Sequence, residues 1–253
     1  MNNPSKISVL LITYNEINHI AEVIKNVDFA DEIIVVDSFS TDGTLEKLAK
    51  FKHVKTICRA FTNFTEQRNF AIKQANFNWI LFIDADERIP LELKNEIFEV
   101  INSNKNVAAY MFKRLYFFKK KRIRFSGFQT DTTYRLFKNG KVKYIENKLV
   151  HEMPEINGES AILKNTMLHY CFDSTAHYKS KMEHYAKLKA LELHKKGKKT
   201  SVFQLLFRPF YKFVVNYFFR LGILDGKEGF QICYLSAYGV YFRYKELERL
   251  NNI

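Results

Sequence analysis

The sequence predicts an α/β fold with a mainly parallel central sheet and a helical C-terminal extension. Short β-branched runs alternate with helical patterns over the first hundred residues. After about residue 106, Tyr, Phe and β-branched residues mix with Lys and Arg, and from residue 173 helical stretches rich in basic and aromatic residues take over. With 253 residues and 47% hydrophobic content, the chain can bury one sizeable core and still carry an appended subdomain.

Residues 7–12, 32–36, 54–57 and 79–83 read as buried strands, because such runs suit a sheet covered on both faces. Residues 18–27, 44–51, 65–75 and 91–101 have helical spacing, and Pro90 suits the first turn of the last helix. Strands and helices in that order form a parallel sheet. Antiparallel strands are expected beyond residue 106, with Asn139-Gly140 as a tight hairpin turn. Gly222 and Gly226 punctuate the last two helical stretches. The expected organisation is a first domain over residues 1–172, with halves 1–105 and 106–172, and an extension over 173–253.

The formal net charge of +13, from 40 Lys+Arg against 27 Asp+Glu, favours anionic partners: nucleic acid, acidic lipid or a phosphorylated substrate. Cys58, Cys171 and Cys233 are far apart and odd in number, which predicts neither a disulfide framework nor a zinc site and suits a reducing compartment. The first six residues are polar and lead straight into a strand-like stretch, so no secretion signal is expected. The most apolar region, residues 202–221, is interrupted by Arg208, Pro209 and Lys212, whereas a spanning helix needs about 20 predominantly apolar residues. No transmembrane helix is expected.

In open α/β sheets ligands bind beyond the carboxyl ends of the strands. Here those ends are polar: Thr13-Tyr14-Asn15-Glu16, Asp37-Ser38-Phe39-Ser40-Thr41-Asp42-Gly43-Thr44 and Asp84-Ala85-Asp86-Glu87. The one-residue spacing of Asp84 and Asp86 lets two carboxylates converge on a hard divalent ion bridging two phosphates. An isolated Asp-x-Asp more often marks a polar loop in which Asp caps the next helix. Asp37 suits a hydrogen bond from a base or ribose, while Ser40, Thr41 and Asp42 are equally suited to capping the helix near Thr44.

Together these three ordered segments resemble the family 2 glycosyltransferases of the GT-A fold. A narrower resemblance, to the bacterial lipopolysaccharide core β-1,4-glucosyltransferase group, rests on Asp37-Ser38 and Gln67-Arg68-Asn69. It extends through Asp131-Thr132-Thr133-Tyr134-Arg135-Leu136-Phe137, Val150-His151-Glu152, Arg208-Pro209-Phe210-Tyr211 and Leu224-Asp225-Gly226. Phe39 departs from the pattern, since many relatives carry Gly there, and this bears on the shape of the donor loop.

The resemblance implies a nucleotide-binding half over 1–105 and an acceptor-side half over 106–172. It places Thr13, Tyr14, Glu16 and Asp37 on the uridine of a UDP-sugar, Arg68 on its ribose or diphosphate, and Asp84 with Asp86 on a metal-bound diphosphate. Asp86 is the expected metal ligand. Inverting transfer needs a carboxylate opposite the leaving diphosphate to take the acceptor proton. Asp131 is the candidate, against a plain turn Asp, with Glu152 and Glu87 in reserve. His151 is the expected histidine on the metal and His169 its alternative; an imidazole suits Mn²⁺ more readily than Mg²⁺. Arg68 also reads as an exposed helical residue pairing with Glu66.

The implied reaction moves glucose from UDP-glucose to a lipopolysaccharide-core or other lipid-linked saccharide, on the cytoplasmic face of the membrane. Between residues 203 and 220, Phe and Tyr alternate with Arg208, Lys212 and Arg220, as in an amphipathic helix lying on an anionic membrane surface; a helix packed on the catalytic domain has the same composition. Two competing readings are a nucleic-acid-binding module and a sugar-nucleotide pyrophosphorylase. The first lacks any helix-turn-helix, RNA-recognition or zinc signature, so no nucleic-acid partner is expected, and the second a Gly-rich phosphate loop near the start.

Overall fold

The computed structural model describes residues 4–103, 105–145 and 154–252. The described residues fall into two compact units. The first comprises residues 4–114, 132–146 and 152–169 and the second 115–131 and 170–253, in each case as far as they are described.

The first unit opens with β1 (Ile7–Thr13), α1 (Ile20–Asn26), β2 (Glu32–Asp37), α2 (Thr44–Leu48), β3 (Val54–Cys58), α3 (Phe64–Gln74) and β4 (Trp79–Phe82). A short β5 (Glu87–Arg88) and α4 (Leu91–Ile101) follow, then β6 (Val107–Phe118), which runs on into the second unit, where β7 (Lys121–Ile123) pairs with its end. The remaining strands are β8 (Thr132–Lys138), β9 (Val142–Tyr144), β10 (Pro154–Ile156) and β11 (Glu159–Phe172). The sheet order is β3-β2-β1-β4-β8-β6-β11-β5, with β3, β2, β1 and β4 parallel and β8 antiparallel to β4.

Alternation explains the layers. Ile7, Val9 and Leu11 face α1, with Ile20, Val23 and Ile24, and α4, with Leu93, Ile97 and Ile101 at helical spacing. Leu10, Ile34, Ile80 and Phe82 point to the opposite face, against Ala71 of α3. The parallel strands β1, β2 and β4 are buried on both faces, as their continuous apolar runs require.

Three local expectations are corrected. β3 is not buried: it is an edge strand whose Lys55, Thr56 and Cys58 are exposed, and a charge on an edge discourages further pairing. Pro90 takes the N-cap position of α4 rather than its first turn. Asn139-Gly140 does form a turn, with Lys141 N donating to Lys138 O at 3.0 Å, but β8 joins the main sheet while β9 pairs with β10. A two-residue hairpin of that type needs positive φ at both positions, and only Gly140 has it, at 78°. Asn139 instead serves the main sheet, its N–H donating to Asn78 O at 2.8 Å and its side chain to Phe77 O at 3.1 Å.

In the second unit α5 (Thr175–Lys195), α6 (Val202–Val214) and α7 (Gly226–Asn251) carry the chain to its end. Ser174 caps α5 by accepting from His177 N at 3.0 Å, and Ser201 with Gln204 forms a capping box on α6. Tyr116, Phe118, Phe172, Tyr178, Ile232 and Leu235 make its main core. α6 buries none of its own side chains; Phe203, Leu206, Phe207, Phe210 and Tyr211 are all exposed. It passes into a π-turn over Val215–Phe219, where Arg220 N reaches Val215 O at 2.8 Å. Among the described residues no helix is long and apolar enough to cross a membrane.

Candidate active site

The parallel register sets Thr13 beside Asp37 at the carboxyl ends of β1 and β2. Thr13 Oγ1 donates to Asp37 Oδ2 at 2.9 Å, and the buried Asp37 carboxylate also accepts from Ser40 N at 2.7 Å and Ser40 Oγ at 2.6 Å. The loop after β2 is thus wound around Asp37. Asn15 ties the two loops together, its N–H donating to Ser40 Oγ and its Oδ1 accepting from Thr41 N, both at 2.8 Å. Tyr14 and Phe39 stand out of this loop pair, 59% and 55% exposed, and Phe39 holds a left-handed backbone with φ 60°. Glu16 anchors the turn into α1, its backbone carbonyl accepting from His19 N and Ile20 N.

The N-cap of α2 is Gly43, without a side-chain cap, and Asp42 braces the start of the helix from one residue earlier. It accepts from Thr44 N at 3.0 Å, Thr44 Oγ1 at 2.5 Å and Ile17 N at 3.0 Å. These bonds overcome partial burial and hold its carboxyl below the usual aspartate range.

Beyond β4, Asp84 and Asp86 are not helix caps, because the chain enters β5 and no helix begins before Leu91. Asp84 is gripped by Arg135 of β8, whose guanidinium also donates to Glu87 Oε1 at 2.7 Å. Arg68 Nη2 lies 3.6 Å from Asp84 Oδ1, and Arg114 lies 3.9 Å from Glu87. Arg135 and Glu87 are only 2% and 0% exposed, so this is a buried charge network. Burial presses Asp84 upward, but Arg135 and Arg68 more than reverse it and leave the carboxyl below its ordinary range. Burial wins at Glu87, whose carboxyl is pushed up against the pull of Arg135. Glu87, a reserve base on sequence grounds, has a fully buried side chain bonded to Arg135.

Asp86 pairs with His169 of β11, Oδ2 to Nε2 at 3.2 Å, and both side chains are largely buried. The backbone pairing of His169 with Glu87 brings the ring there. Arg88 braces the loop, donating to Ala85 O and Glu87 O at 2.7 Å each and to Glu22 at 3.0 Å. His151 and Glu152 lie outside the described residues. Asp86 and His169 supply one oxygen and one nitrogen donor, and no set of three His, Cys, Asp or Glu side chains placed for a metal occurs among the described residues. Two protein donors suffice for a divalent ion that completes its shell with phosphate oxygens and water.

The run Gln67-Arg68-Asn69 on α3 has a task for each residue. Buried Gln67 donates to Ser38 Oγ and Arg59 O, both at 3.2 Å, and so supports the loop after β2. Asn69 clasps the backbone of Tyr144 through two bonds, at 2.8 and 2.9 Å. Arg68 lies between, over the rings of Phe82 and Tyr144 at 5.3 and 5.2 Å. It is not the exposed partner of Glu66 that its helical position allowed; Glu66 bonds Arg59 and Thr62.

In the second unit, Asp131 N closes a turn on Phe128 O at 3.4 Å, and Asp131 Oδ2 accepts from the Tyr116 hydroxyl at 2.5 Å. The loop leading to it hangs on Asp225, which accepts from Arg124 N, Phe125 N and Ser126 Oγ at 2.8–3.0 Å. Arg135, Arg114 and Tyr116 were not singled out from sequence. The usable signal was Arg135 next to Leu136 and Phe137, a charge within an apolar strand.

The sequence model described as "Glycosyl transferase family 2" matches residues 8–162, more than half of the chain. An uncharacterized glycosyltransferase of Rickettsia typhi is 30% identical over 97% of this chain and 88% of its own. The lipopolysaccharide core biosynthesis glycosyltransferase LpsC of Rhizobium meliloti is 25% identical over 97% and 95%. Among solved structures, the mannosyltransferase PcManGT from Pyrobaculum calidifontis, in complex with GDP-Man and Mn²⁺, superposes with a TM-score of 0.57 at 12% identity, covering 97% of this chain and 87% of that one. S. aureus TarS 1–349, in complex with UDP, gives 0.50 at 17% identity, over 98% and 91%. The fold is that of the GT-A glycosyltransferases, as the three strand-end motifs imply. With its motifs in family order and the family match spanning them, the chain belongs to glycosyl transferase family 2 and is a glycosyltransferase.

Proposed function

We propose that the protein transfers glucose from UDP-glucose, with inversion, to a lipopolysaccharide-core or other cell-surface saccharide at the inner face of the cytoplasmic membrane. The observation that carries this is the cluster beyond β4: Asp86 with His169, beside Asp84 held by Arg68 and Arg135. A leaving nucleoside diphosphate brings negative charge, and a site mixing carboxylates with guanidinium groups accommodates both that anion and a cation bound to it. LpsC, the relative named for lipopolysaccharide core biosynthesis, supports the acceptor class. TarS with UDP and PcManGT with GDP-Man and Mn²⁺ are what lead us to a sugar nucleotide and a divalent ion here.

In this reading Thr13, Tyr14, Glu16 and Asp37 receive the uridine, with the exposed Tyr14 ring offering a stacking face. Arg68 meets the ribose or diphosphate. Asp86 and His169 hold the metal, in the role the sequence assigned to Asp86 and His151; when bound, a divalent ion offsets the charge of the departing diphosphate. The acceptor hydroxyl oxygen forms the new bond to the anomeric carbon, the bond to UDP breaks, and Asp131 takes the hydroxyl proton. The Tyr116 hydroxyl fixes the direction in which Asp131 presents its other oxygen. Residues 1–172 carry the transfer, and residues 173–253 face the membrane through the exposed rings of α6.

Family membership takes the place of the nucleic-acid-binding and pyrophosphorylase readings. The test is calorimetric titration with UDP and UDP-glucose, in Mn²⁺ and in chelator, beside single-stranded RNA. Metal-dependent UDP binding that Asp86→Ala weakens is the expected result, and equal binding by Asp86→Ala in Mn²⁺ removes Asp86 from the metal. Asp131→Asn should bind donor normally and lose turnover; retained turnover removes Asp131 from the base role.

A further inference from the structure

The second unit contains a cavity of about 460 Å³, within the range of small-molecule sites, between α5, α6, α7 and the loop at residues 126–128. Each helix contributes a cation to its wall, Lys189, Lys212 and Arg243, and no acidic residue lines it. Lys189 is partly neutralised by Glu192 at 2.7 Å, but Lys212 and Arg243 have no ion-pair partner among the described residues. Burial, together with Arg220 and Arg243, pushes the Lys212 ammonium below its usual range. Burial does the same to Arg243, with Arg208 adding to it. Like charges gathered in one half-buried wall repel, and an anion is what relieves them.

Two further atoms on the wall lack partners. Asn216 is only 3% exposed, and its buried Oδ1 accepts no hydrogen bond; buried Arg243 Nε donates none. Such groups are usually satisfied in folded proteins, so a pair lining one cavity marks a place where a ligand supplies the missing bonds. Asn216 lies in the π-turn that follows α6 and is buried between the half-buried Val215 and Tyr217, and π-turns recur at functional sites. Gly127 brings the loop close: a Cβ there would sit 3.2 Å from Asn216 Oδ1 and 3.1 Å from an Arg220 guanidinium nitrogen. The remaining wall is mostly apolar and aromatic, with Phe128, Met182 and Tyr185.

We propose that this cavity binds a phosphorylated sugar, its phosphate held by Lys212, Arg243 and Lys189 and one of its hydroxyls donating to Asn216. Nothing in this site depends on the donor chemistry proposed above, so either reading can fail without the other. The phosphosugar is either a soluble metabolite or the head of a membrane lipid, and the experiment separates the two.

The test titrates the full chain, in phosphate-free buffer at constant ionic strength, with glucose 6-phosphate, inorganic phosphate and glucose, following heat and melting temperature. Glucose 6-phosphate should bind saturably and raise the melting temperature, inorganic phosphate should bind more weakly, and glucose should do neither. Lys212→Met should weaken glucose 6-phosphate binding tenfold or more while melting no lower than the parent without ligand, because it removes a repelled charge. A merely structural lysine gives the opposite melting result. Asn216→Asp, nearly isosteric, places a carboxylate in the wall and should abolish binding, an independent check if the first variant folds poorly. Weaker glucose 6-phosphate binding beside vesicles carrying a sugar-phosphate-headed lipid than beside plain phosphatidylglycerol vesicles assigns the site to a lipid head; equal binding beside both assigns it to a soluble phosphosugar. Absence of glucose 6-phosphate binding, or undiminished binding in Lys212→Met, overturns the proposal.

Discussion

At Phe39 a side chain occupies a backbone conformation that suits glycine. With φ at 60° its Cβ crowds the neighbouring carbonyl, at about 1–2 kcal/mol for an L-residue, and the 55% exposed ring recovers little by packing. Phe39→Gly should therefore stabilise the protein by roughly 1 kcal/mol after the added chain entropy, raising the melting temperature by about 2–4 °C. A lower melting temperature in calorimetry would show that the ring contributes more than its exposure suggests. The Asp84–Arg135 pair sets an acid limit. Because Asp84 titrates below its ordinary value of 3.8 in the folded state, its contribution is present above that value and disappears as acid protonates it. Asp84→Asn should be less stable near neutral pH, by about 1–3 kcal/mol because Arg135 keeps Glu87 as a partner, with a flatter decline below about pH 4. Denaturant midpoints measured across pH for both proteins check this; parallel curves would remove Asp84 from the acid transition.

Among the elements, the loop at residues 124–131 has no regular structure of its own and depends on one carboxylate. Asp225, nearly buried, satisfies two backbone N–H groups and a hydroxyl in that loop. Asp225→Ala leaves those donors without a partner and should destabilise the protein by about 2–4 kcal/mol. It should also lower transfer with little change in UDP affinity, since the loop leads to Asp131. Unfolding curves and donor titration on the same preparation decide it, and an unaltered turnover would detach the loop from catalysis. Leu224-Asp225-Gly226 was visible in sequence as a shared motif, yet its purpose, a clamp on a loop a hundred residues earlier, was not. Gln67-Arg68-Asn69 is similar: the run marks the family, and only the fold shows Gln67 and Asn69 fastening two separate loops with Arg68 between them.

For the whole molecule, an excess of 13 positive charges and a helix that leaves its rings uncovered are the two features on which the proposed membrane docking rests. Electrostatic attraction to an anionic bilayer is long-ranged and weakens with salt, while ring insertion is short-ranged and does not. Binding to phosphatidylglycerol vesicles should fall as salt rises from about 0.05 to 0.5 M, a range over which the screening length drops severalfold. Phe207→Glu with Phe210→Glu should reduce vesicle binding about tenfold or more at fixed salt, with unchanged circular dichroism because α6 buries neither ring. Equal cosedimentation of the double variant and the parent would mean that α6 is not the docking face.

The sequence alone determined the fold class, the parallel half of the sheet, the strand-end position of the three polar motifs and the family. These follow from short-range patterns: apolar runs, helical spacing and residues next to one another in the chain. It also singled out Asp84, Asp86, Arg68 and Asp131. Tertiary structure decided which groups meet. Arg135 closes on Asp84 and Glu87 because β8 pairs beside β4, and His169 reaches Asp86 because β11 pairs with β5. β9 likewise pairs with β10 rather than with β8, despite a turn sequence that suited a hairpin. Arg135 lies 51 positions from Asp84 and His169 83 from Asp86, and no local pattern in a single chain encodes that proximity.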